Sequence, residues 1–510
     1  MKQSRTLDQR WLYWFAFCAV ALASLLLVYG HSLQFFFWSD DFYLLDYVGR
    51  NSFSEYVHLS FTRPTQRLPL NFGFHFRPVS QYLKFRLARL LFDLNPLPYR
   101  LLLIMFQHFL LGILIVKYCQ IITGNLTIGF IAGILFIINR IHFTAIYWVV
   151  ASSMNLVACF VLISVIAYLQ SLDQARKGWI YSWISYLGLA LALLSDIAAI
   201  VFPILAASSV LLRPDSKSFW NRLFDCVRLW PHVLMIAIFL AIRAPLIVYA
   251  LGGGGNSYYG ISNLAKLTSS YLWGFWWHLE TFVEPWRMIL DRLTRSFSLF
   301  QPLFLSVAGV ILTIVGAIWL IKITGKANAG HPVWLGLTWF LVSASPAVAT
   351  GVLTDYLFAM SAIGFAMAIA YLASSAAGRV GRESMTKKRL ILGAFLALSM
   401  ISARRVVFSL EKTTWPVRDM TLAAKILKVA RQQLVDSDHK TVCLVNFPDD
   451  GLTLAYMDEA FSLFVDPSSS IHQLTTSDLA GGGCPPDAFQ FKYSNDEILI
   501  YQPNVTNQIQ

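Results

Sequence analysis

Charge is what this chain lacks. Of its 510 residues only 13% are Asp, Glu, Lys or Arg, while 56% are hydrophobic and the mean hydropathy is +0.57. An average soluble domain carries about 25% charged residues, so this composition marks a polytopic membrane protein. No small-x-small cleavage site follows the first apolar run, Trp11 to Tyr29; bulky Gln34-Phe35-Phe36-Phe37 stands there, so the run is an uncleaved span. The glycines Gly252 to Gly255 lack a following Gly-Lys-Ser/Thr and form a linker, not a phosphate loop. His31 and His58 have no metal-ligand spacing, and nothing reads as a zinc site. No repeat recurs at 20–50 residues. The net charge of +12 is not gathered into a compact basic domain, which argues against nucleic acid and for anionic lipid headgroups or a lipid phosphate.

What the chain does have is a succession of apolar runs. Besides the first, they fall near 98–117, 126–142, 145–169, 179–195, 197–212, 230–250, 300–321, 333–350, 357–376 and 390–409, making about eleven spans. With the N-terminus in the cytoplasm, the positively charged connections all fall on that side: Lys117, Arg176/Lys177, the Arg213–Arg228 set, Lys322/Lys326 and the Arg379–Arg389 set. Segments 31–97 and 251–299 and a tail from about 410 are then outside. Arg243 falls near the outer end of its span, as a functional cation or a snorkelling one. In the tail, a helix from Met420 to Val435 and a strand from Thr441 to Phe447 predict a small α+β unit. Cys443 and Cys484 are its only cysteines, and form a natural disulfide pair if the compartment is oxidising.

The outer segment at 31–97 carries the chemistry. Phe35-Phe36-Phe37-Trp38-Ser39 is followed by Asp40-Asp41, two carboxylates just past a span. Either can cap the helix that follows; two together also suit a general base near a low-dielectric boundary, or oxygen ligands for a divalent cation. Arg63, Arg67 and Arg77 follow, against the positive-inside bias. Arg77 precedes Pro78, which opens an amphipathic helix, Val79 to Phe92, bearing Lys84, Arg86 and Arg89. The helix can be interfacial with snorkelling cations, or Arg77 can hold a phosphate in its planar fork. Farther on, His278, Glu280 and Glu284 sit in an aromatic segment and read as an acceptor groove or as a solvated interfacial face.

An acidic pair directly after the first span and a Phe-Arg-Pro-Val motif before the second resemble the GT-C superfamily of integral membrane glycosyltransferases. The chain is similar in particular to bacterial relatives of the protein O-mannosyltransferases and the tetratricopeptide-repeat transmembrane mannosyltransferases. Asn139-Arg-Ile-His142 with Tyr147-Trp148 resembles that group's His-Pro-x-His and Trp region. Leu193-Leu-Ser195-Asp196 with Pro203 resembles its Leu-Ser-Lys-Glu…Pro segment. Trp339, Ser345-Pro346 and Asp355-Tyr356-Leu357 resemble its Trp…Pro…Arg-Tyr-Leu stretch, and Val442 to Asp449 an Leu-x-Asn-x-Pro-Asp strand. The departures are Arg140 in place of Pro, Asp196 in place of Lys-Glu, Asp355 in place of Arg, and no tetratricopeptide repeat.

The resemblance implies an all-α polytopic GT-C-like domain over 1–410 and a small extracytoplasmic α+β domain over 411–510. It implies transfer of a sugar from a polyprenyl-phosphate-linked donor to a protein, lipid or glycan acceptor, on the outer face of a bacterial inner membrane. The expected roles are Asp40 as base and Asp41 as its partner or as a metal ligand. Arg77 with Arg63 or Arg67 would hold the donor phosphate. Asp196, His142, Glu280 and Asp355 are candidates for a second acid or the acceptor site; for Asp196 a helix N-cap is the competing reading. No cofactor is required by the pattern, although Mg or Mn could sit on the two acids. The alternatives are a flippase of a lipid-linked precursor, and a catalytically silent relative serving as an assembly subunit.

Overall fold

The computed structural model describes residues 2–61, 76–174, 176–213, 218–249, 270–281, 331–350, 354–380, 384–434, 441–445, 456–465, 470–474, 484–485, 488–494 and 497–501. Arg63, Arg67, the Gly252–Gly255 linker, Glu284, the run at 300–321 and the Pro448–Gly451 turn lie outside the described residues.

Six helical stretches are long and apolar enough to cross a membrane: Trp11–Gln34, Pro96–Thr123, Ser153–Asp173, Phe219–Ala244, Ser361–Gly378 and Met385–Thr413. Leu126–Ile137 and Arg140–Tyr147 pass the same test together but are bent by 47°. Shorter apolar helices cover Gly178–Leu193, Ile197–Leu211 and Pro332–Val348. The chain is thus a multi-pass, largely helical membrane protein. The helices used below are α1 (Lys2–Tyr29), α2 (Asp40–Arg50), α3 (Lys84–Phe92), α4 (Phe106–Thr123), α5 (Leu126–Ile137), α6 (Ser153–Asp173), α7 (Gly178–Leu193), α8 (Phe202–Leu211), α9 (Trp230–Tyr249), α10 (His331–Thr350), α11 (Ser361–Val380), α12 (Met385–Thr413), α13 (Trp415–Leu434) and α14 (Met457–Phe464).

Local chemistry sets the turns. Gly124, at φ +66°, ends α4 in the left-handed conformation that glycine adopts without strain. Asn125 then caps α5, its Oδ1 accepting from Thr127 N–H at 2.9 Å. α10 and α11 cross with their backbones almost touching: a Cβ on Gly336 would lie 2.6 Å from the carbonyl oxygen of Gly364. Small residues at such crossings let dispersion replace the hydrophobic effect that lipid does not supply.

Two sequence expectations change. The run at 145–169 is not one helix, because residues 148–152 form turns and α6 begins only at Ser153. Apolar content alone cannot see this break, whose backbone N–H groups are used by the site. In the amphipathic stretch 79–92 the leucines face outward, but its cations do not snorkel. Pro78–Leu83 is wound as a π-helix and continues into α3. Leu83, Leu87, Leu90 and Leu91 are 49%, 57%, 71% and 63% exposed, whereas Lys84 is buried. Against lipid the leucine face turns outward, so the cations face protein.

The tail forms a four-stranded sheet, β1 (Thr441–Val445), β2 (Ser470–Leu474), β3 (Phe489–Ser494) and β4 (Glu497–Tyr501), in the order β2-β1-β3-β4. The central β1 runs parallel to both neighbours, pairing Val442 with Ile471 and with Phe489. Its residues Val442 to Val445 are buried, as befits a strand covered on both faces. Cys443 and Cys484 are joined in a disulfide, with their Cα atoms 6.3 Å apart.

Candidate functional site

The segments near 35–50, 77–100, 139–152, 194–198 and 355 meet at one end of the bundle. The basic connections Arg176/Lys177 and Arg213 lie at the far ends of α6, α7 and α8. The meeting point is organised by Asp41, which has no exposure. Trp38 N–H donates to its Oδ2 at 3.2 Å, and Val150 N–H donates to its Oδ1 at 2.9 Å. Burial pushes its carboxyl well above the usual range, and the nearby Arg100 and Lys84 pull it back. Lys84 Nζ donates to Val149 O at 3.0 Å and to Ser152 Oγ at 3.1 Å; its own affinity for the proton is lowered by burial and restored in part by Asp41. Arg100 donates to Phe35 O at 2.7 Å, Phe36 O at 2.5 Å and Tyr147 O at 3.0 Å. Asp41 is therefore the centre of a knot that ties three loops together. Arg86 and Arg89 add to it by donating to the carbonyls of Val48 and Leu45, which hold α2 against α3.

Asp40 is placed differently. Successive residues of a helix point about 100° apart, so Asp40 leaves the knot and sits half-buried at its edge. Its one side-chain partner among the described residues is Ser39, with Oγ 3.5 Å from Oδ1. Burial raises its pKa to about 6, against a smaller lowering by Ser39. A carboxylate poised there is half-ionised near pH 6 and mostly ionised at neutral pH, as a general base needs to be.

Arg77 and Asp196 are brought together, with Nη2 2.8 Å from Oδ2. The other Asp196 oxygen accepts from Ala198 N–H at 2.8 Å and caps the short 3-10 turn Ile197–Val201. Asp196 is thus an N-cap and counter-ion. Val79 N–H donates to Leu194 O at 3.0 Å and Ser80 Oγ to Ser195 O at 2.6 Å, which seats the Arg77 strand on this turn. Arg243, on α9, is electrostatically coupled to both Arg77 and Asp196. Tyr56 accepts from Arg77 N–H at 2.9 Å. Rings of Tyr43, Tyr47 and Tyr56 follow one another at 5.9 and 6.2 Å, leading from the Asp40 end of α2 to this cation pair.

Glu280 and Asp355 gather around Arg140. Arg140 is ion-paired with Glu280, and its backbone N–H donates to Thr281 Oγ1 at 3.0 Å. Asp355 accepts from Thr144 N–H at 3.4 Å and from Tyr356 N–H at 2.8 Å. Burial raises its carboxyl, and Arg140 opposes this. Trp38, Trp148 and Tyr356 form a chain of ring contacts of 4.7 and 5.9 Å between the Asp41 knot and this cluster. His142 is placed elsewhere. It has no exposure and packs its ring on His108 and Phe136 at 4.4 and 4.3 Å, which makes it a core residue rather than an acceptor-site one.

Sequence reasoning missed Arg100 and the place of Lys84 in the site. An arginine at the head of an apolar run was the available signal for the first. The inward stripe Ser80, Lys84, Ala88 at four-residue spacing was the signal for the second. Tyr456 of the tail, described below, carried no signal at all. Among the described residues no group of three or more His, Cys, Asp or Glu is assembled as for a metal ion. Asp41 accepts one backbone N–H on each oxygen.

No family model matches the chain, and no curated protein matches it. Three solved structures illustrate what it is similar to. One is the Archaeoglobus fulgidus oligosaccharyltransferase complexed with Zn and sulfate, at 12% identity over 89% of this chain and 62% of that one, TM-score 0.44. A second is AglB, the archaeal oligosaccharyltransferase from Archaeoglobus fulgidus, bound to an inhibitory peptide and a dolichol-phosphate. It is 11% identical over 90% of this chain and 64% of that one, TM-score 0.45. The third is ArnT from Cupriavidus metallidurans bound to undecaprenyl phosphate, at 14% identity over 94% and 92% of the two chains, TM-score 0.46. The chain spans a little under two thirds of the oligosaccharyltransferase chains.

Proposed function

We propose that this protein is a GT-C-type membrane glycosyltransferase that moves a sugar from a polyprenyl-phosphate-linked donor to a hydroxyl- or amine-bearing acceptor. The observation that carries the reading is the splitting of the acidic pair: Asp41 is consumed by the fold, which leaves Asp40 as a half-buried carboxylate with a raised pKa. The Arg77–Arg243 pair, reached along the tyrosines of α2, supplies cationic binding for the donor phosphate. Arg63 and Arg67 are further candidates for that role.

In the proposed reaction Asp40 takes the proton of the acceptor O–H or N–H as that atom attacks the anomeric carbon. The new bond from carbon to acceptor forms while the bond from carbon to phosphate oxygen breaks. The electron pair leaves with the polyprenyl phosphate, whose charge Arg77 and Arg243 stabilise, and the anomeric configuration inverts. Glu280 and Asp355 around Arg140 form a second polar group where acceptor contacts can be made. The site is taken to face outward from a bacterial inner membrane, with a cytoplasmic N-terminus and the unit from 411 onward outside. The Cys443–Cys484 disulfide supports that side, because such bonds persist in oxidising compartments.

The test is incubation of the purified protein with a radiolabelled polyprenyl-phosphate hexose and membranes from cells lacking the protein. Lipid-dependent transfer or hydrolysis by the wild type, abolished in Asp40→Asn, is the expected result; an Asp40→Asn variant that still transfers would overturn it. Binding of the lipid without turnover would mean a silent relative.

A further inference from the structure

Among the described residues three that are not glycine have positive φ: Ser39 at +48°, Asp93 at +52° and Tyr456 at +63°. Asp93, at ψ −129°, has nearly the same backbone as Ser39 but ends α3 away from the acidic pair. The other two bear on the site. Ser39 directly precedes Asp40, and with ψ −119° it is far from any region a serine prefers. Tyr456 is a bulky residue in the left-handed region (ψ +28°), at the head of α14 and far along the chain. It comes back to the same place. Its ring lies 5.3 Å from that of Tyr43, and its phenol feels the charge of Asp40. Strained residues persist where the surroundings over-determine them, and they concentrate at functional sites. Here one directly precedes the carboxylate and the other packs on Tyr43 of the same helix.

The rest of α14 is what fixes Tyr456 there. Phe464 packs on Phe36 at 4.9 Å, Phe42 at 6.1 Å and Phe37 at 6.2 Å. Arg50, at the other end of α2, donates to Ser462 Oγ at 2.5 Å. The helix is thus seated on the aromatic entry to the acidic pair as well as along α2, and Tyr456 stays partly exposed at the Asp40 edge. Strain at a position whose ring only filled core would be relieved by a glycine and a better-placed apolar side chain. A phenol kept in that conformation beside a base has an oxygen that both donates and accepts hydrogen bonds.

We propose that Tyr456 contacts the substrate: its phenol hydroxyl hydrogen-bonds the acceptor group that Asp40 deprotonates, so that the C-terminal segment completes the active site. The inference rests on the assignment of Asp40 as the base. The test compares Tyr456→Phe, Tyr456→Gly and Asp40→Asn in the full-length protein, with radiolabelled polyprenyl-phosphate hexose as donor and membranes lacking the protein as acceptor. Tyr456→Phe is expected to lower kcat/KM for the acceptor about tenfold, the worth of one hydrogen bond, and to leave the KM of the donor unchanged. Tyr456→Gly is expected to lose more activity while melting no lower than the wild type, since glycine adopts this φ freely. Wild-type transfer by Tyr456→Phe with Asp40→Asn inactive would overturn the role of Tyr456 and leave the base standing. A Tyr456→Gly variant that melts lower and loses activity in proportion, with Tyr456→Phe fully active, would make the residue structural and overturn it too. An active Asp40→Asn would overturn the base and this proposal together.

Discussion

Asp40 and Asp41 are neighbours in sequence and occupy two regions that work on opposite principles. Around Asp41 the charged groups all have partners: two backbone N–H groups on the carboxylate, a carbonyl and a hydroxyl on Lys84, three carbonyls on Arg100. Around Asp40 the carboxylate has one long contact and an exposed side. Saturation makes the first region rigid; incomplete satisfaction leaves the second with capacity to bind and to exchange a proton. The rigid region aims the reactive one, because α2 can only start where the Asp41 knot holds Trp38 and Val150.

The comparison can be broken most forcefully by exchanging the roles. Asp40→Asn should reduce sugar transfer by roughly 10²- to 10⁴-fold, the usual worth of a positioned base, with unchanged expression and melting. Asp41→Ala should do the reverse first, lowering stability by about 3–5 kcal/mol because Lys84 and Arg100 lose their buried counter-charge; thermal unfolding in detergent reads this directly. The double variant Asp41→Asn, Lys84→Met should recover part of that loss, since removing both partners strands neither. If Asp41→Ala melts like the wild type but is inactive, the division of labour is wrong. A smaller effect is expected at the phosphate end. Arg77→Lys keeps the charge but loses the planar fork that meets Asp196, so the KM of the polyprenyl-phosphate donor should rise about tenfold with kcat little changed.

Much of the fold is legible in the sequence, because span length and apolar content are fixed by the bilayer. The runs at 98–117, 197–212 and 390–409 lie within a few residues of helices found in the structure. What hydropathy could not give is where a span is interrupted for chemistry. Residues 148–152 are as apolar as their flanks, yet they turn, and the turn frees Val150 N–H for Asp41. The same limit hid the burial of Lys84, since a cation beside a leucine stripe looks alike whether it snorkels or turns into protein. In the site, the residue types were readable and the pairings were not. Asp196 with Arg77, and Arg140 with Glu280, join residues distant in sequence and are set by tertiary packing. Tyr456 was beyond reach for the same reason, its conformation being imposed by α2 and not by its own neighbours.

The smallest effect sharpens the comparison by pH. Asp40 titrates at about 6 through burial, and the base form is the carboxylate, so transfer should halve near pH 6 and fall about tenfold for each further unit of acid. Loss of activity on acidification commonly reports unfolding, and here Asp41 argues against that. Its carboxyl is also raised by burial, so the folded state holds its proton more tightly than the unfolded chain, whose Asp titrates near about 3.9. A group raised in this way contributes stability that is complete below the unfolded value and is lost as pH rises through the folded one. Through Asp41, acidification from pH 7 to 5.5 therefore does not loosen the fold while it protonates most of the base. The measurement is a pH series of transfer rate and melting temperature on one preparation, in which rate falls and melting temperature holds or rises. The two curves falling together would mean that Asp40 and Asp41 are not separate devices after all.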